Sequence, residues 1–323
     1  MLLKYFNSNR ISVFLFIVLL PAAYWIPSFF PAAHPPVLDI SGGPLGKLIL
    51  RLSHEFRLIS SLLALALVMV NGYLLIQLNT IHIFIPVRTR LSAYFYAVLV
   101  AGMTQLHQLT PALVASSILV LVLFRIFSTY KLESISLNYL DAGILISLAS
   151  MVYFPALAFF LFLIAGMLML RPFIWREWAF AIIGLIIPYL FLISGYYLLD
   201  IPFSGYVKDV ADSFSKTDQE YKLSQIVNWA FVLAFVMIGS YYMVTAIDSM
   251  KIHARKFFLI FLIYFLLSVI IYLILPGAGI GMIYFVSVPL AYLFTYFFVK
   301  CRQHWINELF FLIFLILLLW QRF

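Results

Sequence analysis

Residues 30–58 read FPAAHPPVLDISGGPLGKLILRLSHEFRL. The segment lies between two strongly apolar runs, ISVFLFIVLLPAAYWI before it and LISSLLALALVMV after it, and is the longest polar break in the first half of the chain. It carries His34, Asp39, Lys47, Arg51, His54, Glu55 and Arg57, a large share of the ionisable groups in a chain that is only 10% charged. Its first part, with HPP and SGGPLG, is punctuated as a loop. From residue 45 the leucines alternate with Lys47, Arg51, His54 and Arg57, the pattern of a short amphipathic helix lying at a membrane surface. A loop with an interfacial helix between two apolar runs reads as the outside connection between two membrane spans.

The rest of the chain extends that reading. Of its 323 residues 65% are hydrophobic, and the mean hydropathy is +1.10. A soluble domain is about 45–50% apolar and about 25% charged, so this chain has more apolar surface than a soluble core hides. Cut into spans of roughly 20 residues, it holds about eleven, expected near residues 11–30, 58–77, 91–105, 112–127, 138–152, 155–171, 179–199, 226–247, 257–275, 280–299 and 305–320. The expected fold is therefore all-α, a polytopic integral membrane protein and a single transmembrane domain over 1–323. Its two long outer loops fall at 31–57 and 200–225. Asn138 or Asp141 is placed to cap the fifth span, and Pro155 to open the sixth. Trp175 and Trp178 fit a headgroup-level belt, with Arg171 and Arg176 reaching for phosphates.

The net charge of +8 finds its explanation in the membrane as well. With the N-terminus in the cytoplasm, the inside segments hold thirteen of the Lys and Arg residues and the outside segments seven, and every inside loop has at least two. That is the distribution of the positive-inside rule. No compact basic run or basic–aromatic motif points to nucleic acid. The single cysteine, Cys301, forms no disulfide within the chain and excludes a cysteine-based metal site. The expected location is a bacterial inner membrane, multi-pass.

Candidate chemistry gathers on the first outer loop. Asp39 is placed to act as a general base near the outer surface, although Asp is also common in turns. Lys47, Arg51 and His54 share one face at helical spacing, with Arg57 close to it, and such a face grips a lipid phosphate or simply snorkels among anionic headgroups. Glu55 is placed to pair with Arg51 at i,i+4. His34, Gln105 and His107 belong to the same outer face. His54-Glu55 lacks the second histidine of a zinc motif, so no metal is expected, and no cofactor. The polar groups within spans are few: Asn71, Gln77, Asn79, Asn228 and Glu308. No nucleotide-binding or serine-hydrolase motif occurs.

Two resemblances follow from these residues. RTRLSAYFY (88–96), TPALVASSILVLVLFRIF (110–127), NYLDAGILISLASMVYFP (138–155) and LRPFIWREW (170–178) resemble an uncharacterised family of bacterial polytopic inner-membrane proteins. The architecture resembles the integral membrane glycosyltransferases of the class C fold. Those enzymes have a long first outer loop with amphipathic helices and a catalytic acid, and another long outer loop after the seventh span. This resemblance implies a polyprenyl-phosphate sugar as donor, Asp39 as the catalytic acid or base, and Lys47, Arg51, His54 and Arg57 as the phosphate site. The alternative is a non-enzymatic membrane component of an export or envelope-assembly complex, with membrane-protein partners, or a transporter of lipids or small molecules.

Overall fold

The computed structural model describes residues 21–29, 43–87, 89–102, 106–130, 136–200, 202, 204–212, 233, 236, 237, 239, 240 and 250–300. Helices dominate them: α1 (Pro44–Glu55), α2 (Arg57–His82), α3 (Leu91–Ala101), α4 (Pro111–Ser128), α5 (Ser136–Val152), α6 (Phe159–Leu170), α7 (Trp175–Leu198), α8 (Ser204–Asp212), α9 (Ile252–Ile274) and α10 (Ile283–Lys300). Among the described residues no strand occurs. Five helices are long and apolar enough to cross a membrane: α2, α4, α7, α9 and the stretch Ile280–Lys300 that contains α10. The chain is a membrane protein. Shorter apolar helices stand at three more expected spans, 91–105, 138–152 and 155–171. The expected spans at 226–247 and 305–320, and most of that at 11–30, lie outside the described residues, as does Glu308.

The helices run alternately up and down, and tertiary hydrogen bonds identify the two ends of the bundle. At one end the Gly43 amide donates to Val152 O at 3.0 Å and the Leu109 amide to Ser60 Oγ at 2.9 Å. The hydroxyls of Tyr153 and Tyr284 donate there to Ala278 O at 2.6 Å and Leu106 O at 2.7 Å. These bonds join the start of α2 and α4 to the finish of α5 and the turn before α10. At the opposite end Phe127 stacks on Phe257 at 4.2 Å, and His253 Nε2 lies 3.3 Å from Ile83 O. Arg90, Arg125, Arg171, Arg176, Lys251, Arg255, Lys256 and Lys300 all belong to this opposite end, against Lys47, Arg51, Arg57 and Lys208 at the first. The described cations thus divide eight to four between the two ends.

Small residues and tyrosines hold the bundle. Lipid gives apolar helices no hydrophobic reason to associate, so close backbone approach and interhelical hydrogen bonds must do so. A Cβ at Gly143 of α5 would collide with Ala181 O of α7, and one at Gly184 with Leu140 O, so the two helices meet glycine to backbone. A Cβ at Gly72 of α2 would come within 3.2 Å of Ala93 Cβ on α3. The wholly buried Tyr153, Tyr284 and Tyr292 each spend the hydroxyl proton on a distant main-chain carbonyl, Tyr292 on Leu75 O at 2.6 Å. A tyrosine packed in an apolar interior needs such a partner.

Several local expectations are corrected. The amphipathic helix does not run on to residue 58. Phe56, with φ −118° and ψ 65°, breaks it from α2. Pro155 opens a 3₁₀ turn, Phe154–Ala158, rather than the sixth span itself, and α6 begins at Phe159. Asn138 and Asp141 lie inside α5, which already starts at Ser136. Asp141 instead pairs with Arg125 on α4 at 3.3 Å. Arg171 does not reach outward to phosphates. It turns back to Glu177 at 2.8 Å, and both side chains are largely buried. With both groups this buried, each charge would be left uncompensated without the other. Trp175 is exposed as a belt residue would be, while Trp178 is half-buried beside Phe173, 5.3 Å away.

Candidate functional site at the α1 end of the bundle

Pro44 opens α1 in its first turn, where a missing N–H costs nothing. The helix then divides into three sides. Gly46 and Ser53, seven residues or two turns apart, are buried, with Ile49 and Leu50 half-buried beside them. A Cβ at Gly46 would collide with Val152 O and would stand 3.2 Å from Pro111 Cβ. Only glycine lets α1 lie this close to the ends of α4 and α5. Ser53 turns its hydroxyl back to Leu50 O at 2.9 Å, which satisfies it within the helix. The second side carries Leu45, Leu48 and Leu52, exposed by 40%, 54% and 56%. Past the break at Phe56, α2 likewise exposes Leu58, Ile59, Leu62 and Leu63. The third side carries Lys47, Arg51 and His54, all exposed. At about 100° per residue these three fall within roughly 60° of arc.

Lys47, Arg51 and His54 thus share one exposed face of α1, next to the side by which the helix rests on the ends of α4 and α5. Glu55 is exposed at the end of α1, and among the described residues no ion pair joins it to Arg51. Arg57 stands past the break at Phe56, on the first turn of α2, and is half-buried. Asp39, His34 and Gln105 lie outside the described residues.

His107 is found in the core. It is buried and stacks on Trp25 with ring centroids 4.0 Å apart. Its Nε2 is 2.9 Å from Ala101 O, and Trp25 Nε1 donates to His107 O at 3.1 Å. That arrangement pins the loop between α3 and α4. Asn79 is likewise structural: its Oδ1 accepts from the Ile85 amide at 2.9 Å, closing the turn after α2. Gln77 donates to the Tyr73 hydroxyl at 2.7 Å along the same helix. Asn228 is outside the described residues. Among the described residues no group of three or more metal-ligating side chains comes together.

Residues 47–323 match a family of unknown function, DUF6427. The chain belongs to this family. The match begins at Lys47, so it takes in α1 from that residue onward and α2 to α10. Asp39 and His34 precede the matched residues. No curated protein and no solved structure matches the chain.

Proposed function

We propose that this DUF6427 chain holds the phosphate of a lipid-linked substrate at the α1 end of the bundle. The three-sided α1 helix carries this reading. Its glycine side fixes it to the ends of α4 and α5. Its exposed leucine side suits acyl or isoprenoid chains. Lys47, Arg51 and His54 then stand at headgroup level, where Arg makes bidentate contacts with phosphate and Lys offers a point charge. By the charge asymmetry of the two ends, this end faces away from the cytoplasm. The eleven-span, N-in arrangement of an inner-membrane protein with two long outer loops is part of the same proposal.

The specific form of the reading is transfer of a sugar from a polyprenyl phosphate. Asp39 would take the proton of an acceptor hydroxyl. The acceptor oxygen would form a bond to the anomeric carbon as the bond from that carbon to the phosphate breaks, and the polyprenyl phosphate would leave. Lys47 and Arg51 would stabilise its charge, as preorganised cations do for a leaving phosphate.

The test is native mass spectrometry of the full chain with a polyprenyl monophosphate and with the matching polyprenol. Selective retention of the phosphate is expected. With about 1 kcal/mol for each basic residue near a membrane surface, Lys47→Ala with Arg51→Ala should weaken retention roughly 30-fold. Equal retention of alcohol and phosphate would overturn the lipid-phosphate reading. Retention that persists while Asp39→Asn leaves transfer to an added acceptor unchanged would remove Asp39 alone.

A second reading has its own observation. Helix α7 is among the least buried of the long apolar helices and exposes Ile182, Ile183, Ile186, Leu190, Phe191 and Ile193. A membrane component that docks on other membrane proteins would use such a side. Stable co-purification through α7, with indifference to the Lys47 and Arg51 substitutions, would favour it.

A further inference from the structure

Between α9, α10 and the segment that carries Val236 and Ser240 lies a cavity of about 80 Å³. Helix α9 lines it with Phe258, Leu262 and Phe265, and α10 with Pro289 and Leu293. Gly239 holds the third wall close to α10, since a Cβ there would collide with Leu293 Cδ2. Leu262 is 41% exposed, so the cavity opens outward from the bundle. Ser240 brings the single polar side chain of the lining, and a cavity this apolar does not hold water. Left empty, it would deprive its walls of the dispersion contacts that a hydrocarbon chain restores.

The cavity lies in line with a set of cations. Lys251, Arg255, Phe258, Leu262 and Phe265 follow one another at steps of four, three, four and three, which is one face of α9. The Arg255 amide donates to Lys251 O at 3.1 Å, so Lys251 keeps its place on that face although it precedes the helix. On α10, Pro289, Leu293 and Lys300 likewise stand four and seven residues apart. Arg255 and Lys300 are each seven residues from a residue of the cavity wall, Leu262 and Leu293, a separation of roughly 10 Å along the helix. Lys251 and Lys300 are exposed. Arg125 and Arg171 at the same end are paired with Asp141 and Glu177, whereas among the described residues no acid pairs with Lys251 or Lys300.

We propose that α9 and α10 bind one anionic phospholipid of the leaflet at this end of the bundle, with its phosphate at Lys251, Arg255 and Lys300 and one acyl chain in the cavity. Basic side chains at helix ends reach lipid phosphates in this manner, while their stems lie along apolar surface. Three cations outnumber the charge of one phosphate. They favour a headgroup that adds no positive charge of its own, as in phosphatidylglycerol, over one that does, as in phosphatidylcholine. The site stands at the opposite end of the bundle from α1 and does not depend on the lipid-phosphate reading there.

Photo-crosslinking of the full chain in phosphatidylcholine nanodiscs tests it, with a phosphatidylglycerol probe that carries a diazirine on one acyl chain. Peptide mapping is expected to find adducts on the stretches 258–265 and 289–293, several-fold more than a phosphatidylcholine probe with the same chain leaves there. Lys251→Gln with Lys300→Gln should bring the phosphatidylglycerol adducts down to the phosphatidylcholine level. Both lysines are exposed, so the fold is not at stake. Lys47→Ala with Arg51→Ala should leave the adducts unchanged, which separates this site from the one at α1. Equal adducts from the two probes in the native protein, or adducts that survive the double lysine substitution, would overturn the proposal. Displacement of the probe by a polyprenyl monophosphate at lower concentration than by unlabelled phosphatidylglycerol would overturn the phospholipid assignment and give the place to a prenyl chain.

Discussion

Gly143 and Gly184 set how closely α5 and α7 approach. Each faces main-chain atoms of the other helix, with no flexible side chain to give way, so even one added methyl has to push two backbones apart. Overpacking of a tight site costs typically about 1–3 kcal/mol. Gly184→Ala is therefore expected to lower the thermal unfolding temperature of the purified protein, and Gly195→Ala, where a Cβ meets open space, to leave it unchanged. Equal unfolding temperatures for the two variants would show that the α5–α7 crossing has room for the added methyl. Neither glycine stood out in the sequence. Both look like ordinary residues in apolar spans, and only the partner helix gives them a task. His107 teaches the same lesson from the other side. Its residue type suggested chemistry, yet the stack on Trp25 and the bond to Ala101 O use it as a packing residue.

Among the elements, α1 was the most legible before the structure. Its leucines and cations alternate at helical spacing from residue 45 onward. Its end was not legible, because the break at Phe56 falls within a run whose apolar and basic residues would also suit one longer helix. Its attachment was also hidden, since Gly46 and Ser53 become informative only when Val152 and Pro111 are brought alongside. The turn between α6 and α7 shows how tertiary contacts override a local reading. LRPFIWREW looks like an interfacial stretch with two cations for the headgroups, but the buried Arg171–Glu177 pair closes it. Breaking a buried pair from one side costs about 3–5 kcal/mol, because the remaining charge stays uncompensated. Arg171→Met should thus destabilise strongly, while the double change Arg171→Met with Glu177→Gln recovers much of the loss. Chemical denaturation of the two variants measures this, and equal stability would mean that Glu177 escapes to solvent.

For the whole molecule, composition suffices to expect long apolar helices, and five of the described ones are long and apolar enough to cross a membrane. The described cations divide unequally between the two ends. Helix packing was beyond the sequence, because in lipid it depends on glycine contacts and on tyrosine hydroxyls finding carbonyls far along the chain, as Tyr292 does with Leu75. The candidate site was legible in the same partial way: the basic face of α1 from spacing, the surface that holds it only from the fold. Spin labels at single cysteines along α1, in a Cys301→Ser background and in lipid bilayers, read all three of its sides in one experiment. Labels replacing Leu45, Leu48 and Leu52 should collide with oxygen, which concentrates in lipid. Those replacing Lys47, Arg51 and His54 should collide with a water-soluble nickel complex, and one at Ser53 with neither. Collision with the nickel complex at all seven positions would mean that α1 stands in water away from the membrane, and the lipid-phosphate site would go with it.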